Sequence, residues 1–363
     1  MKQSNALAYL RQLCCSGLNK EIVIPEFLRA VQSLIPSGNN AFSGIDEHII
    51  PLYYMLEFAD TDLDGPGVVF DYMTPERRSY FIDWFRAYPV LAETDVFDES
   101  FYSSDMYNLV LRRLDQYHLL WALVRHDHKP VGMLCLYRPR QQKKFNSRDQ
   151  ALLARLLPYV SHALHAPEDK DILYSENGSS GMMIMDTQGA IVFLSSEAKN
   201  LLALACYPVV TQNGFIKEAE LIDKLAQLCR NLDAVFRGRA ATPPAWSFVG
   251  ANGRFMFRAY WLNKQNNEPG GLIGMTIEHQ EPVVLKIVRA MKNLPLSPMQ
   301  KEVALLLAQG FASEKIGERL HIKLTTVKDH IGKIFTKLDI HQREELLPKL
   351  LALEDAIQIV TVL

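Results

Sequence analysis

The chain has 363 residues, which suits two or three domains of ordinary size. Hydrophobic residues make up 48% and charged residues 22%, the profile of a soluble globular protein. The net charge of −2 excludes a uniformly basic nucleic-acid coat, so any nucleic-acid contact must come from a local basic surface.

The first unit is expected over residues 1–167. Lys20 to Ile35 reads as a helix with Phe27, Leu28, Val31 and Leu34 on one side, Asn19 as cap, and Pro25 near the start, where proline is best tolerated. Ile49 to Phe58 is apolar and aromatic and fits either strand or helix. Thr74-Pro75-Glu76 is a helix start, with Tyr80, Phe81, Trp84 and Phe85 turned inward and an end near Pro89. Tyr117 to Arg125 and Val131 to Tyr137 read as strands joined by a hairpin loop from Arg125 to Pro130. Ser147 to Gln150 spells a capping box, and the helix it opens carries Leu152, Leu153, Leu156, Leu157, Val160 and Leu164 at helical spacing.

The second unit is expected over 168–282. Met182 to Met185 and Ile191 to Leu194 read as strands around the turn Asp186 to Gly189. Ser196 is placed as the cap of a short helix to Leu204, and Glu218 to Phe236 is amphipathic, with Leu221, Leu225, Leu228 and Leu232 in register. Trp246 to Val249 and Phe255 to Trp261 flank Asn252-Gly253, a strong hairpin signal, and Leu272 to Ile277 adds a strand. Helices with antiparallel strands give an α+β domain.

A helical connector is expected over 283–293 and an all-α unit over 294–363. Ser297-Pro298-Met299-Gln300 is a second capping box, and its helix, with Val303, Leu306 and Leu307 on one face, stops at Gly310. Ser313 is placed as the cap of a short helix with Ile316 and Leu320 inward; His321 to Leu324 is a turn. Thr325 to Leu338 forms a third helix with Val327, Ile331, Ile334 and Leu338 spaced for burial. Lys323 to Lys337 holds four lysines and one acid. A last helix begins near Gln342 and carries Leu346, Leu347, Leu350 and Leu351.

This segment resembles the LuxR/FixJ-type helix-turn-helix domain. The resemblance rests on Leu296-Ser297, Glu302-Val303, Leu307, Gly310, Ile316, Leu320, Thr326-Val327-Lys328, His330, Lys337-Leu338, and Arg343 followed by Glu345-Leu346. It implies a transcription regulator that binds double-stranded DNA, with the third helix in the major groove. On that reading Lys328 and Asp329 reach base edges, and Lys323, Thr325, Thr326 and Lys333 hold phosphates. His330 either touches a phosphate or packs. The chain departs from the family pattern at Met299 and Gln300, at Gly317, at Lys323 and at Gly332, where a missing side chain removes one contact. The resemblance also implies a homodimer paired through Leu346, Leu347 and Leu350, against the plainer reading of the same leucines as core. The leucine stripe Leu152 to Leu164 is a second surface for pairing.

Upstream, Gly132 to Pro139 followed by the helix from Ser147 resembles the end of a GAF-type domain, and Gly181 to Leu202 the start of a PAS-type domain. The expected fold is therefore multidomain α+β: a GAF-like and a PAS-like sensor domain, then a four-helix DNA-binding domain. Such sensor domains imply control by a small-molecule or protein signal. Tyr80, Trp84, Tyr88 and Trp121 are the candidate pocket residues, against the plainer reading of ordinary core. Acyl-homoserine-lactone sensing is set aside because the spacing of Trp, Tyr and Asp does not fit, and a receiver domain because the first unit lacks its strand–helix alternation.

Nothing in the chain asks for catalysis or a cofactor. There is no Gly-x-Ser-x-Gly, phosphate-binding glycine loop or His-Glu-x-x-His. His126 and His128 lack further ligands at metal-binding spacing. The five cysteines, Cys14, Cys15, Cys135, Cys206 and Cys229, are odd in number and scattered, which fits reduced thiols. No apolar run reaches the roughly 18 residues of a membrane span, and Met1 to Leu10 lacks the apolar stretch of a signal peptide. The expectation is a soluble, cytoplasmic protein. Two functions fit: a signal-controlled transcription regulator, or an interaction protein or anti-activator whose helix-turn-helix no longer reads sequence, as Lys323 and Gly332 would allow.

Overall fold

The structure is a computed structural model that describes residues 3–57, 68, 74–96, 101–165, 172–175, 178–206, 209–211, 214–263 and 271–362. It forms two compact units. One comprises Asn19–His165 and Ser175–Glu281, the other Met1–Leu18, Ala166–Tyr174 and Pro282–Leu363.

Helix α1 (Gln3–Cys14) belongs to the second unit. The first unit starts with α2 (Lys20–Val31), β1 (Ala41–Ile45) and β2 (Pro51–Leu56). It continues with α3 (Pro75–Ala87), β3 (Val90–Ala92), the short α4 (Glu93–Val96), and a 3-10 turn (Phe101–Ser103) followed by a π-helix (Met106–Leu111). Then come β4 (His118–His126), β5 (Lys129–Arg138) and α5 (Ser147–His165). After α5 the unit holds β6 (Ser179–Met185), β7 (Ile191–Leu194), α6 (Ser196–Ala205), β8 (Val209–Thr211) and β9 (Gly214–Phe215). It ends with α7 (Ile216–Phe236), β10 (Ala245–Gly250), β11 (Gly253–Leu262) and β12 (Leu272–Gln280).

Two antiparallel sheets organise this unit, in the orders β3-β4-β5-β1-β2-β8-β9 and β10-β11-β12-β6-β7. The separate domains expected over 1–167 and 168–282 are not independent. The open edge of β2 is completed by β8, with Tyr54 opposite Val210 and Met55 opposite Val209, so the second half of the chain supplies two strands to the first sheet. One core gathers Phe81, Phe85, Leu119, Trp121 and Tyr137; the other gathers Met183, Leu225, Phe255, Phe257 and Met275.

Local chemistry sets the element ends, often one residue from where the sequence pattern puts them. Asn19 caps α2 by accepting from the Glu21 N–H at 2.7 Å. Pro25 lies inside α2 rather than at its start, and the chain tightens into i→i+3 turns at Ser33 and Leu34, so the helix stops at Val31 instead of Ile35. The β4–β5 loop is tighter than expected: Asp127 and His128, with φ of 48° and 66°, make a two-residue turn. The α5 cap is Asn146, not Ser147. Its Oδ1 accepts from the Arg148 and Asp149 N–H groups at 2.9 and 3.1 Å, and Asp149 accepts in return from the Asn146 N–H at 3.1 Å. Arg138 holds the buried Asp149 at 3.2 Å and so fixes that register. Ser195, rather than Ser196, caps α6. Gly250 pairs with Gly253, so Ala251 and Asn252 form the hairpin turn. The Leu152–Leu164 stripe is not an open pairing surface: Leu153, Leu156 and Val160 are fully buried inside the subunit.

In the second unit α8 (Val283–Met291) leads to α9 (Pro298–Ala308), α10 (Ser313–Leu320), α11 (Leu324–Leu338), a 3-10 turn (Arg343–Glu345) and α12 (Leu346–Val362). The segment expected as a connector, α8, is an integral helix packed against α12. Glu354 on α12 is only 2% exposed and faces Lys286 at 3.8 Å and Arg289 at 3.9 Å, both from α8. Helix α1 docks on α8 and α9: Arg11 pairs with Glu302 at 2.7 Å, and the Lys292 ammonium lies 5.3 Å from the centre of the Tyr9 ring. Lys301 is buried, donates to the Lys292 carbonyl at 3.1 Å, and has its pKa pulled below the ordinary lysine value by desolvation.

A buried acid stripped of both charge partners costs about 3–5 kcal/mol. A fragment of residues 292–363 should therefore unfold at lower urea concentration than one of residues 282–363, and Glu354→Gln should recover only part of that gap, because the buried Leu285, Ile287, Val288 and Met291 are lost as well. For Lys301 the folded state binds the proton less tightly than the unfolded state. Stability of the full chain should consequently rise as pH climbs from the lowered Lys301 pKa toward the ordinary lysine value. Urea melts at stepped alkaline pH should show that rise, and Lys301→Met should flatten it.

Candidate nucleic-acid interface

The helix pair α10–α11 is set by short-range packing. Ser297 and Gln300 form the expected capping box at the start of α9. The Gln300 Oε1 and the Pro295 carbonyl also accept from the Lys337 ammonium, at 2.9 and 2.7 Å, which ties the end of α11 to the start of α9. Gly310, with φ of 91°, ends the α9 turn, and the Arg343 guanidinium donates to the Phe311 carbonyl at 2.7 Å. Ala312, not Ser313, occupies the cap position of α10, and no side chain caps it. A β-carbon at Gly317 would meet the Ile322 carbonyl oxygen at 2.9 Å, so glycine there lets the turn into α11 pass close over α10.

Helix α11 begins at Leu324, one residue before the expected Thr325, with Lys323 as a cap residue whose side chain makes no capping bond. Its buried side holds Val327, Ile334 and Leu338. The opposite side exposes Lys323, Thr325, Thr326, Lys328, Asp329, Gly332 and Lys333 together, so the seven residues singled out in the sequence share one solvent-facing surface. Asp329 and Lys333 pair at 2.6 Å one helical turn apart, both about half exposed. Asp329, Gly332, Lys333, Thr336 and Lys337 line a shallow open hollow on this face. Thr336, whose hydroxyl donates to the Gly332 carbonyl at 3.0 Å, and Lys337 are the members that sequence reasoning left out; the place of Thr336 two turns beyond Lys328 was the available signal. His330 is half-buried, and its Nδ1 has no hydrogen-bond partner among the described residues.

The other expected sites fare differently. Leu346 and Leu350 are fully buried within the helical unit, and Leu347 is half-buried. That face of α12 packs on α8 and α9. Of the four candidate pocket residues, Trp84 packs against the core that holds Trp121, and its ring centre lies 6.3 Å from that of Tyr88. Trp121 is core, 5.3 Å from the Phe81 ring; Trp84 is half-buried; Tyr88 lies past the last turn of α3 and is 56% exposed; the Tyr80 side chain falls outside the described residues. His126 stacks on His165 with ring centres 3.8 Å apart, and among the described residues no cluster of His, Cys, Asp or Glu is placed to hold a metal. Cys14 is buried and Cys15 exposed, and desolvation raises the pKa of both thiols. No helix among the described residues is long and apolar enough to cross a membrane.

Residues 294–349 match the family model described as "Bacterial regulatory proteins, luxR family", and form a LuxR-family helix-turn-helix domain. Over 50 residues the chain is 34% identical to the response regulator protein VraR of Staphylococcus aureus, a match covering 14% of this chain and 24% of that protein. The chain thus spans about a quarter of the length of these relatives. Among solved structures it is similar to the VqsR LBD domain of Pseudomonas aeruginosa (17% identity, 40% of this chain and 90% of that one, TM-score 0.29). It is also similar to VqmA of Vibrio cholera, solved as a VqmA-ligand-DNA complex (14% identity, 50% and 84%, TM-score 0.25). Both scores lie under 0.5, and neither likeness carries weight for function.

Two glycines of this domain should respond oppositely to Ala. Gly332 has nothing within 4 Å of its added methyl, so Gly332→Ala should stabilise by up to about 1 kcal/mol through helix propensity alone. Gly317→Ala should lower the melting temperature, because the contact with the Ile322 carbonyl outweighs the same propensity gain. Thermal unfolding of the two variants checks the pair.

Proposed function

We propose that this protein is a sequence-specific DNA-binding transcription regulator, and that its sheet-built first unit receives a small-molecule or protein signal. The observation that carries the reading is the polar face of α11, where seven polar or small residues lie exposed together on a helix whose other side is core. A helix of this diameter fits the major groove. Lys328 donates to guanine O6 and N7, and Asp329 accepts from cytosine N4. Lys323, Thr325, Thr326 and Lys333 hold phosphates, helped by α11 amide groups that no cap side chain occupies. The GAF-like and PAS-like character of the sensor unit and a homodimeric, cytoplasmic state belong to this reading. One short helix reads few base pairs, and two copies about one DNA turn apart multiply the discrimination.

A second reading, an anti-activator or interaction protein, is favoured by two features of the same face. Gly332 offers no side chain to a base, and Asp329 already neutralises Lys333.

Binding of the full chain to genomic fragments, followed by fluorescence anisotropy at several salt concentrations, separates the two. Lys323→Ala and Lys333→Ala should each weaken binding to all sequences and reduce the salt slope by about one. Lys328→Ala should cost about 1–3 kcal/mol on the preferred site and relax one base pair, with little change on random DNA. Equal loss on both kinds of DNA would move Lys328 to the phosphate-holding set, and no preferred site at all would favour the second reading.

A further inference from the structure

The hollow on α11 is open because position 332 has no side chain. Gly332 is exposed, and a β-carbon built there would meet nothing within 4 Å. Asp329, Lys333, Thr336 and Lys337 stand around it. Each side-chain donor among them is already engaged. The Thr336 hydroxyl donates to the Gly332 carbonyl at 3.0 Å. The Lys333 ammonium donates to the Asp329 carboxylate at 2.6 Å. The Lys337 ammonium donates to the Pro295 carbonyl and to Gln300 Oε1, at 2.7 and 2.9 Å. What these residues have left to offer the hollow is carbon: the Thr336 methyl, the lysine stems and the Gly332 α-carbon. If the Lys333 ammonium leaves Asp329 for a phosphate, its stem is still what faces inward.

We infer that this hollow receives the C5-methyl group of a pyrimidine, thymine or 5-methylcytosine, in the major groove of bound DNA. Gly332 is then a specificity-determining residue. The inference rests on the DNA reading proposed above and deepens it. Three properties single out the occupant. The hollow is shallow and open, so it does not enclose a free small molecule. The Asp329 carboxylate on its rim repels phosphate, which turns the hollow toward base edges. In the major groove the C5-methyl is the apolar group that a base edge presents, and carbon walls with no free donor suit it. Helix register gives the position. Gly332 follows Asp329 by three residues, so it lies on the same face, about 4.5 Å further along the axis. That is close to one base-pair step of about 3.4 Å. With Asp329 at a cytosine N4, Gly332 faces a neighbouring pair. The missing side chain, otherwise a lost contact, becomes the feature that selects a methylated pyrimidine.

The test starts from the duplex that the full chain prefers, selected from a random library. Asp329→Ala relaxes preference at one pair of that duplex and so marks the neighbouring pairs. Thymine there is replaced by deoxyuridine, or cytosine by 5-methylcytosine, changes that remove or add the methyl alone. Fluorescence anisotropy at fixed salt should show deoxyuridine weakening binding about fourfold and 5-methylcytosine strengthening it by as much, the worth of one buried methyl group. Gly332→Asn fills the hollow with a polar side chain and should bring both ratios close to one. Thr336→Ser keeps the hydroxyl and loses the methyl; it should lower the ratios, and it decides the matter if Gly332→Asn loses binding altogether. A methyl effect on one pyrimidine alone supports the inference and identifies which one the hollow takes. A selected duplex with no methyl effect at these pairs, or with one that both variants leave intact, overturns the inference and leaves the DNA reading standing. A chain that selects no duplex overturns both.

Discussion

The carboxylate of Glu354 sits where water barely reaches it, and the helical unit is arranged around giving it partners. Burying a carboxylate alone costs several kcal/mol. Lys286 and Arg289 offset that cost, and because both belong to α8, one acid holds α8 to α12. From the end of α8 the arrangement spreads outward. Lys292 gives its carbonyl to Lys301 and its ammonium to the face of Tyr9, which brings α9 and α1 into the same body. Helix α9 then seats the exposed helix α11 through the Gln300–Lys337 contact. The direction in which Lys328 and Asp329 point is thus the last step of a series of polar groups finding partners away from water.

Much of this was legible in the sequence where the cause is local. The Ser297–Gln300 box, the Gly310 stop and the inward spacing of Val327, Ile334 and Leu338 need only neighbouring residues, and each appears in the structure at the expected place. The face of α11 follows directly, since what is not buried at that spacing must face out. Thresholds between neighbouring candidates were less legible. Asn146 and Ser147 both make good caps, and the choice falls to Asn146 because Arg138, on a distant strand, holds Asp149 in place. Partners far along the chain were not legible at all. The leucines of α12 and α5 display an apolar stripe, but periodicity does not say what covers it, and in both helices the cover is the subunit's own core.

The same limit explains the sheet-built unit. Each half of residues 19–281 has the helices and antiparallel strands of an α+β domain, so the sequence divides naturally near 167. Backbone hydrogen bonding ignores that division. An edge strand leaves amide and carbonyl groups in need of partners, and β2 finds them in β8, from the other side of the boundary. Two halves that share a sheet are expected to unfold as one cooperative body, since a shared ladder is lost or kept together.

The split membership of the helical unit also dictates an order of events during synthesis. Helix α1 precedes the entire sheet-built unit in the chain, yet the helices it rests on, α8 and α9, follow that unit. Contacts between such distant segments form late, because their loop-closure entropy must be met first. The sheet-built unit can condense while the chain is still being extended; the helical unit is closed only when its final segments emerge and α1 is recovered. A chain stopped before α8 is therefore expected to carry a condensed sheet-built unit and an unfinished helical one.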